Sequence, residues 1–182
     1  MEAVTRMADG EGDDVLSSAA GGDEIAFRRI IATHHEDMRR VCLAISGDDA
    51  IAEEAVQAAW LVAWKKLDKV HGPAQLRPWL VSVAAREARQ LLRRRHRRAK
   101  IEVATDPAGS HGGVDPATGI DSVDLRAALR RLDPDDRALI AMRYGAGFNS
   151  NELAIATGKS PAAIRQRLKR LVDRLREDLS HD

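Results

Sequence analysis

The sequence predicts an all-α protein: two small helical domains joined by a flexible acidic linker, the C-terminal one a helix-turn-helix. Three observations carry this reading. Apolar residues recur at three- and four-residue steps along most of the chain, and no alternating strand pattern of useful length occurs. Aromatic residues are 3% of the chain and charged ones 31%, a balance that favours helices packed through alanine and aliphatic side chains over a sheet. Residues 101–120 hold two prolines, four glycines and no Lys or Arg, and a loop that long inside one compact domain is unusual.

Residues 1–22 carry glycine, serine and acids with no helical stripe, and read as a flexible acidic tail. From Asp23 the pattern changes. Ile25, Phe27, Ile30, Ile31, Met38, Val41 and Ile45 make one apolar helix face. Gly47 stops that helix, and Asp48 or Asp49 can cap the next. In the second helix Ala52, Ala55, Val56, Ala59, Ala63 and Leu67 form the stripe, Trp60 and Trp64 flank it, and Glu53, Glu54 and Gln57 face elsewhere. After a turn at His71-Gly72-Pro73 comes a third helix, whose inner face is Trp79, Leu80, Val83, Ala84 and Leu91. These three helices suffice to bury a shared core, so residues 23–100 form the first domain, 101–120 the linker and 121–182 the second domain.

In the second domain Asp133-Pro134 and Ser160-Pro161 each place an N-cap before a proline at the first helical position. Asn149 and Glu152 stand in capping-box relation, and Gly158 makes the turn between two short helices. Ile164, Leu168, Leu171, Leu175 and Leu179 line one side of the last helix. Two helices joined by a glycine turn, the second basic, are the helix-turn-helix signature. Arg165 and Gln166 project away from the core, and those residue types can pair with guanine and adenine in a major groove. Ser160 opens the helix toward phosphate, and Arg167, Lys169 and Arg170 are placed to clamp phosphates.

The formal net charge is only +1, yet it is segregated: residues 86–100 hold eight Lys/Arg against the single acid Glu87. Such a block can track nucleic-acid phosphates with steep salt dependence. Cys42 is the only cysteine, which excludes an intramolecular disulfide. Neither a signal peptide nor a run of about 20 apolar residues occurs, so a cytoplasmic protein with no membrane partner is expected. His35 and Cys42 lie about 10 Å apart along a helix, too far to share a zinc ion. No phosphate loop, nucleophile elbow or paired catalytic carboxylates appear. Neither an enzyme nor a cofactor or metal is expected. The chain stops soon after its last helix, so no fused C-terminal domain is expected either.

Three stretches, in order, resemble the bacterial sigma factors of the sigma-70 family, of the extracytoplasmic-function type. AEEAVQAAWLVAW resembles the family's core-polymerase-binding helix, RPWLVSVAAREARQLLRRR its promoter-melting and minus-ten-reading helix, and residues 129–176 its minus-thirty-five-reading domain. The resemblance spans residues 24–179 and implies a factor that binds core RNA polymerase, at the beta-prime clamp and beta flap, and directs it to promoter DNA. It implies polymerase contacts at Glu53, Glu54, Gln57 and Trp60. For the minus-ten element it implies His71, Gln75, Arg77, Trp79, Arg86, Arg89, Arg93 and Arg94, with the loop 70–76 walling a pocket for a flipped base. Trp79 also lies on the apolar stripe, where packing in the core is the competing role, and Trp60 and Trp64 divide in the same way between core and polymerase contact. An anti-sigma factor is a further partner the family suggests. The sequence departs from the family at Ala58, where an acid is usual, at Glu87, where Asn is common, and at Ala163, where Thr is frequent. The rival function is a stand-alone helix-turn-helix regulator binding DNA as a dimer.

Overall fold

Residues 9–105 and 120–180 are described by the computed structural model, and among them every regular element is helical. The chain runs α1 (Asp9–Ala20), α2 (Glu24–Ser46), α3 (Asp49–Lys66), a 3-10 turn (Leu67–Lys69) and α4 (Pro73–Thr105). It continues with α5 (Ile120–Arg131), α6 (Pro134–Ile140), a π turn (Ala141–Gly145), α7 (Ser150–Thr157) and α8 (Pro161–Ser180). Residues 106–119, most of the expected linker, lie outside the described residues.

Local chemistry sets the boundaries. The Asp23 carboxylate accepts from the amides of Ile25 and Ala26 at 2.7 and 3.1 Å. Gly47, at φ 67°, ends α2 in the left-handed region that glycine tolerates best. Asp48 then caps α3 through the Ile51 amide at 3.2 Å. Helices α2, α3 and α4 pack on one another, and their seam is rich in alanine: Ala52, Ala55, Ala59, Ala63, Ala84, Ala85 and Ala88 are all fully buried. Such small side chains let the helix backbones approach closely. On α4 the buried stripe is Leu80, Val81, Ala84, Ala85, Ala88 and Leu92, while Trp79, Val83 and Leu91 are partly covered.

Four expectations need correction. Residues 9–20, read as tail, form α1, which buries Val15, Leu16 and Ala19 against α2. Three apolar residues among glycines and acids give too faint a stripe to read, but a partner helix stabilises what propensity alone does not. Gly12 lets α1 approach the start of α4, where an added Cβ would meet the Pro73 Cβ at 3.3 Å. Helix α4 begins at Pro73, so Gln75 sits in its first turn and the expected loop 70–76 shrinks. It also runs on to Thr105, past the expected end at residue 100. Ile25, placed on the inner face of α2, is exposed, because α1 and α3 cover the side of α2 that carries Phe27.

In the C-terminal half, Asp133 accepts from the amides of Asp135 and Asp136 at 2.8 and 2.9 Å, with Pro134 beginning α6. The capping box of α7 closes both ways, Asn149 accepting from the Glu152 amide and Glu152 from the Asn149 amide. Gly158, at φ 68°, turns the chain, and the Ser160 hydroxyl accepts from the Ala163 amide at 3.2 Å to start α8. Met142, Phe148, Leu153 and Ile164 fill the core of this half. The two halves touch: α4 lies on α7, and α2 lies on α6 and the π turn.

Candidate nucleic-acid and partner interfaces

Helix α8 presents Arg165, Gln166, Lys169 and Arg170 to solvent, while Ile164, Leu168, Leu171 and Leu175 are buried beneath them. The helix-turn-helix thus leaves one basic face uncovered. Arg167 is different. Its Nε donates to Asp136 Oδ1 at 2.6 Å, and both side chains are largely covered. This pair ties α8 to α6, so Arg167 holds the reader in place and is not free to clamp phosphate. Burial pushes the Asp136 carboxyl above its ordinary range; the Arg167 hydrogen bond opposes that shift, and nearby Asp133 adds to it. Ser160 is likewise occupied as the α8 cap.

On α4 the sequence-derived set divides in two. His71, Gln75, Arg86, Arg93 and Arg94 are exposed, and Trp79 is partly buried against the core. Arg77 and Arg89 point into the contact between the halves. Arg77 donates through Nε to Asp37 Oδ2 at 2.7 Å and through Nη2 to the Ala146 carbonyl. Its Nη1 lies 3.6 Å from Glu152, and its guanidinium sits 4.5 Å from the centroid of the Phe148 ring. Arg89 pairs with Asp135 at 3.1 Å. Arg95, in the same basic block, pairs with Asp48 at 2.5 Å. That arginine and the backbone amide of Ile51 hold the Asp48 carboxyl below its usual range. A cleft of about 220 Å³ between α4 and the helix-turn-helix is bordered by Arg89, Asp135, Lys159 and Arg167 over an apolar floor that includes Met142 and Ile164.

Helix α3 carries the remaining surface. Glu54 and Gln57 are exposed, Glu53 is half-covered and accepts from Gln57 Nε2 at 3.2 Å, and Trp60 is buried. The Trp60 indole donates to His35 Nδ1 at 3.3 Å and meets Phe27 edge-on, which makes it a core residue. Leu61, which sequence reasoning missed, and Trp64, which it left between core and polymerase contact, complete the exposed stripe. Leu61 is 68% exposed and Trp64 42%, and with Glu54 and Gln57 they follow a three-, four- and three-residue step along one face. The available signal was the position of Leu61, four residues after Gln57. His34, on α2, has an Nδ1 buried without a hydrogen-bond partner. Burial lowers its pKa to about 4, Arg77 adding to the effect and Asp37 opposing it. Among the described residues no helix is long and apolar enough to cross a membrane.

Two family matches cover these two halves in order. Residues 30–98 match Sigma-70 region 2, and residues 122–175 match Sigma-70 region 4. The chain belongs to the sigma-70 family. It is 33% identical over 171 residues to the probable RNA polymerase sigma factor RfaY of Xanthomonas campestris pv. campestris, covering 90% of this chain but 43% of that protein. It is 28% identical over 168 residues to the extracytoplasmic-function sigma factor SigL of Mycobacterium tuberculosis, covering 88% of this chain and 93% of the relative. Among solved structures, the sigma factor RpoE bound to the anti-sigma factor NepR from Bartonella quintana superposes with a TM-score of 0.67. It is 26% identical to this chain, and the match covers 86% of this chain and 98% of that one. The region 2 match over α2–α4 disfavours a stand-alone helix-turn-helix regulator, which needs no such half. The sigma family and the extracytoplasmic-function type expected from the sequence are borne out.

Proposed function

We propose that this protein joins core RNA polymerase and directs it to particular promoters, working in the cytoplasm and leaving all chemistry to the polymerase. In this reading the first helical domain, residues 23–100, serves the polymerase and the minus-ten region, and the second, residues 121–182, reads the minus-thirty-five element. The exposed α3 stripe of Glu54, Gln57, Leu61 and Trp64 docks on a basic, partly apolar surface of the polymerase clamp, and the second domain meets the beta flap. Arg165 and Gln166 read base edges from the start of α8, with Lys169 and Arg170 on phosphates. His71 and Gln75, exposed at the entrance to α4, face the minus-ten region, and Arg86, Arg93 and Arg94 follow its phosphates. Because RpoE of Bartonella quintana has been solved with an anti-sigma factor, a similar partner is proposed here.

The observation that carries the reading is the pairing of two family regions, in order, with an uncovered basic face on a capped α8. Two weak DNA contacts on separate halves gain affinity when the polymerase holds both at high effective concentration. The test is reconstitution with core polymerase on a promoter library. Specific start sites should appear only when the protein is added. Tight binding to a palindromic operator without polymerase, with no stimulated start site, would overturn the proposal.

A further inference from the structure

We propose that Arg77 is a latch that holds the free protein closed, and that reading a promoter requires this latch to open. The geometry is specific. Arg77 stands in the first turns of α4, beside the exposed His71 and Gln75, yet its guanidinium bridges Asp37 of its own half and the other half of the molecule. It reaches the Ala146 carbonyl, the Glu152 carboxylate and the face of Phe148, while Asp37 braces it from behind. Phe148 is fully buried under it. About three turns further along α4, Arg89 makes a similar cross-half contact with Asp135. Two cations of the helix proposed to face the minus-ten region are therefore engaged across the contact, Arg89 by Asp135 and Arg77 by the Ala146 carbonyl and Glu152 in addition to Asp37 of its own half.

This closed form cannot be the promoter-bound form. Elements whose positions differ by about 25 base pairs lie on the order of 80 Å apart on a duplex rising about 3.4 Å per pair. A compact chain of this length is only about 40 Å across, and here α4 and α7 are in contact. Opening must break the Arg89 pair with Asp135 and the Arg77 contacts to Ala146, Glu152 and Phe148, leaving Arg77 with Asp37 alone, and it uncovers both side chains on the surface on which melted DNA would lie. Closure and promoter reading thus compete for the same side chains. The latch stands on contacts within the chain; its consequence for promoter reading rests on the function proposed above.

The experiment is single-molecule energy transfer on the full chain, labelled at Lys66→Cys on α3 and Asp173→Cys on α8, both exposed. Cys42 can stay, since it is fully buried. The free protein should give a high-transfer population, which core polymerase converts to low transfer. Arg77→Gln should lower the closed-to-open ratio tenfold or more, as expected for charge-assisted hydrogen bonds. Glu152→Gln keeps the capping bond to the Asn149 amide and should lower the ratio about two- to fivefold. Asp135→Arg should open the molecule, and Arg89→Asp added to it should restore closure. Unchanged transfer in both Arg77→Gln and Glu152→Gln overturns the latch, as does failure of the double reversal to restore what Asp135→Arg loses. These readings on free protein stand apart from promoter function. A high-transfer state that persists in the polymerase complex overturns the opening step alone.

Discussion

Leu61→Ala is the sharpest test of the α3 docking face. Leu61 is 68% exposed on a helix whose opposite side is fully buried, so its truncation leaves the core intact. Burying a whole leucine side chain contributes about 1.5–3 kcal/mol, and the two-thirds still exposed corresponds to about 1–2 kcal/mol if a partner covers it. The dissociation constant for core polymerase should therefore rise about five- to thirtyfold. Trp64 has about 100 Å² still to bury, worth about 2.5 kcal/mol. Its ring also meets Phe27 at 4.8 Å, so Trp64→Ala mixes lost docking with lost packing, and Leu61 is the cleaner probe. Fluorescence anisotropy of labelled protein titrated with core polymerase measures the effect, and thermal unfolding should show no loss, since alanine is the better helix former. Ile25, 67% exposed on α2, is the control; it lies two residues from Phe27 and so faces away from α3. An affinity within twofold of the parent for Leu61→Ala, or an equal loss for Ile25→Ala, refutes the docking face.

Other outcomes follow from single contacts. Arg165→Ala or Gln166→Ala should cost about 1–3 kcal/mol on the preferred minus-thirty-five sequence and almost nothing once the contacted base is changed, as measured by transcription from paired promoters. Arg167→Ala should destabilise the C-terminal half by about 1–3 kcal/mol by stranding Asp136, and the double variant with Asp136→Ala should recover much of that in denaturant melts. Asp48→Ala should cost about 1 kcal/mol at neutral pH through the lost α3 cap. The folded-state pKa of Asp48 is depressed, so its stabilisation is present above the ordinary carboxylate pKa and fades as pH falls through the lowered value. Melts of parent and variant should therefore converge in acid.

What was legible was local. Gly47, Asp48, Asp133-Pro134, the Asn149/Glu152 box and Ser160-Pro161 each act within four residues, and each sits where its chemistry requires. The basic face of α8 was legible for the same reason, because the apolar stripe of Ile164 to Leu175 fixes which side is turned out. What was hidden depends on partners distant in sequence. The Arg77 contact with Ala146 joins residues 69 apart, and nothing in helical periodicity distinguishes an arginine bound for solvent from one bound for a carbonyl on another helix. In the sequence Trp60 stands between core and polymerase contact because three- and four-residue spacing locates a stripe without saying how wide the cover is; His35 and Phe27 widen it. Leu61 was passed over for the converse reason.

The partition of arginines now has a measurable consequence. Arg95 and Arg167 are paired with acids, whereas Arg86, Arg93 and Arg94 are exposed and form no ion pair among the described residues. A cation that displaces counterions from DNA contributes about 0.7–0.9 to the slope of log affinity against log salt; one that stays with its carboxylate contributes nothing. For the polymerase complex on promoter DNA, Arg93→Ala and Arg94→Ala should each flatten that slope by nearly one. Arg95→Ala should weaken α3 capping yet leave the slope unchanged. The distinction matters because mean affinity at one salt concentration would fall in all three and could not separate them. If Arg95→Ala flattens the slope as much as Arg94→Ala does, the Asp48 pair gives way to phosphate in the complex, and the basic block acts as one undivided charge.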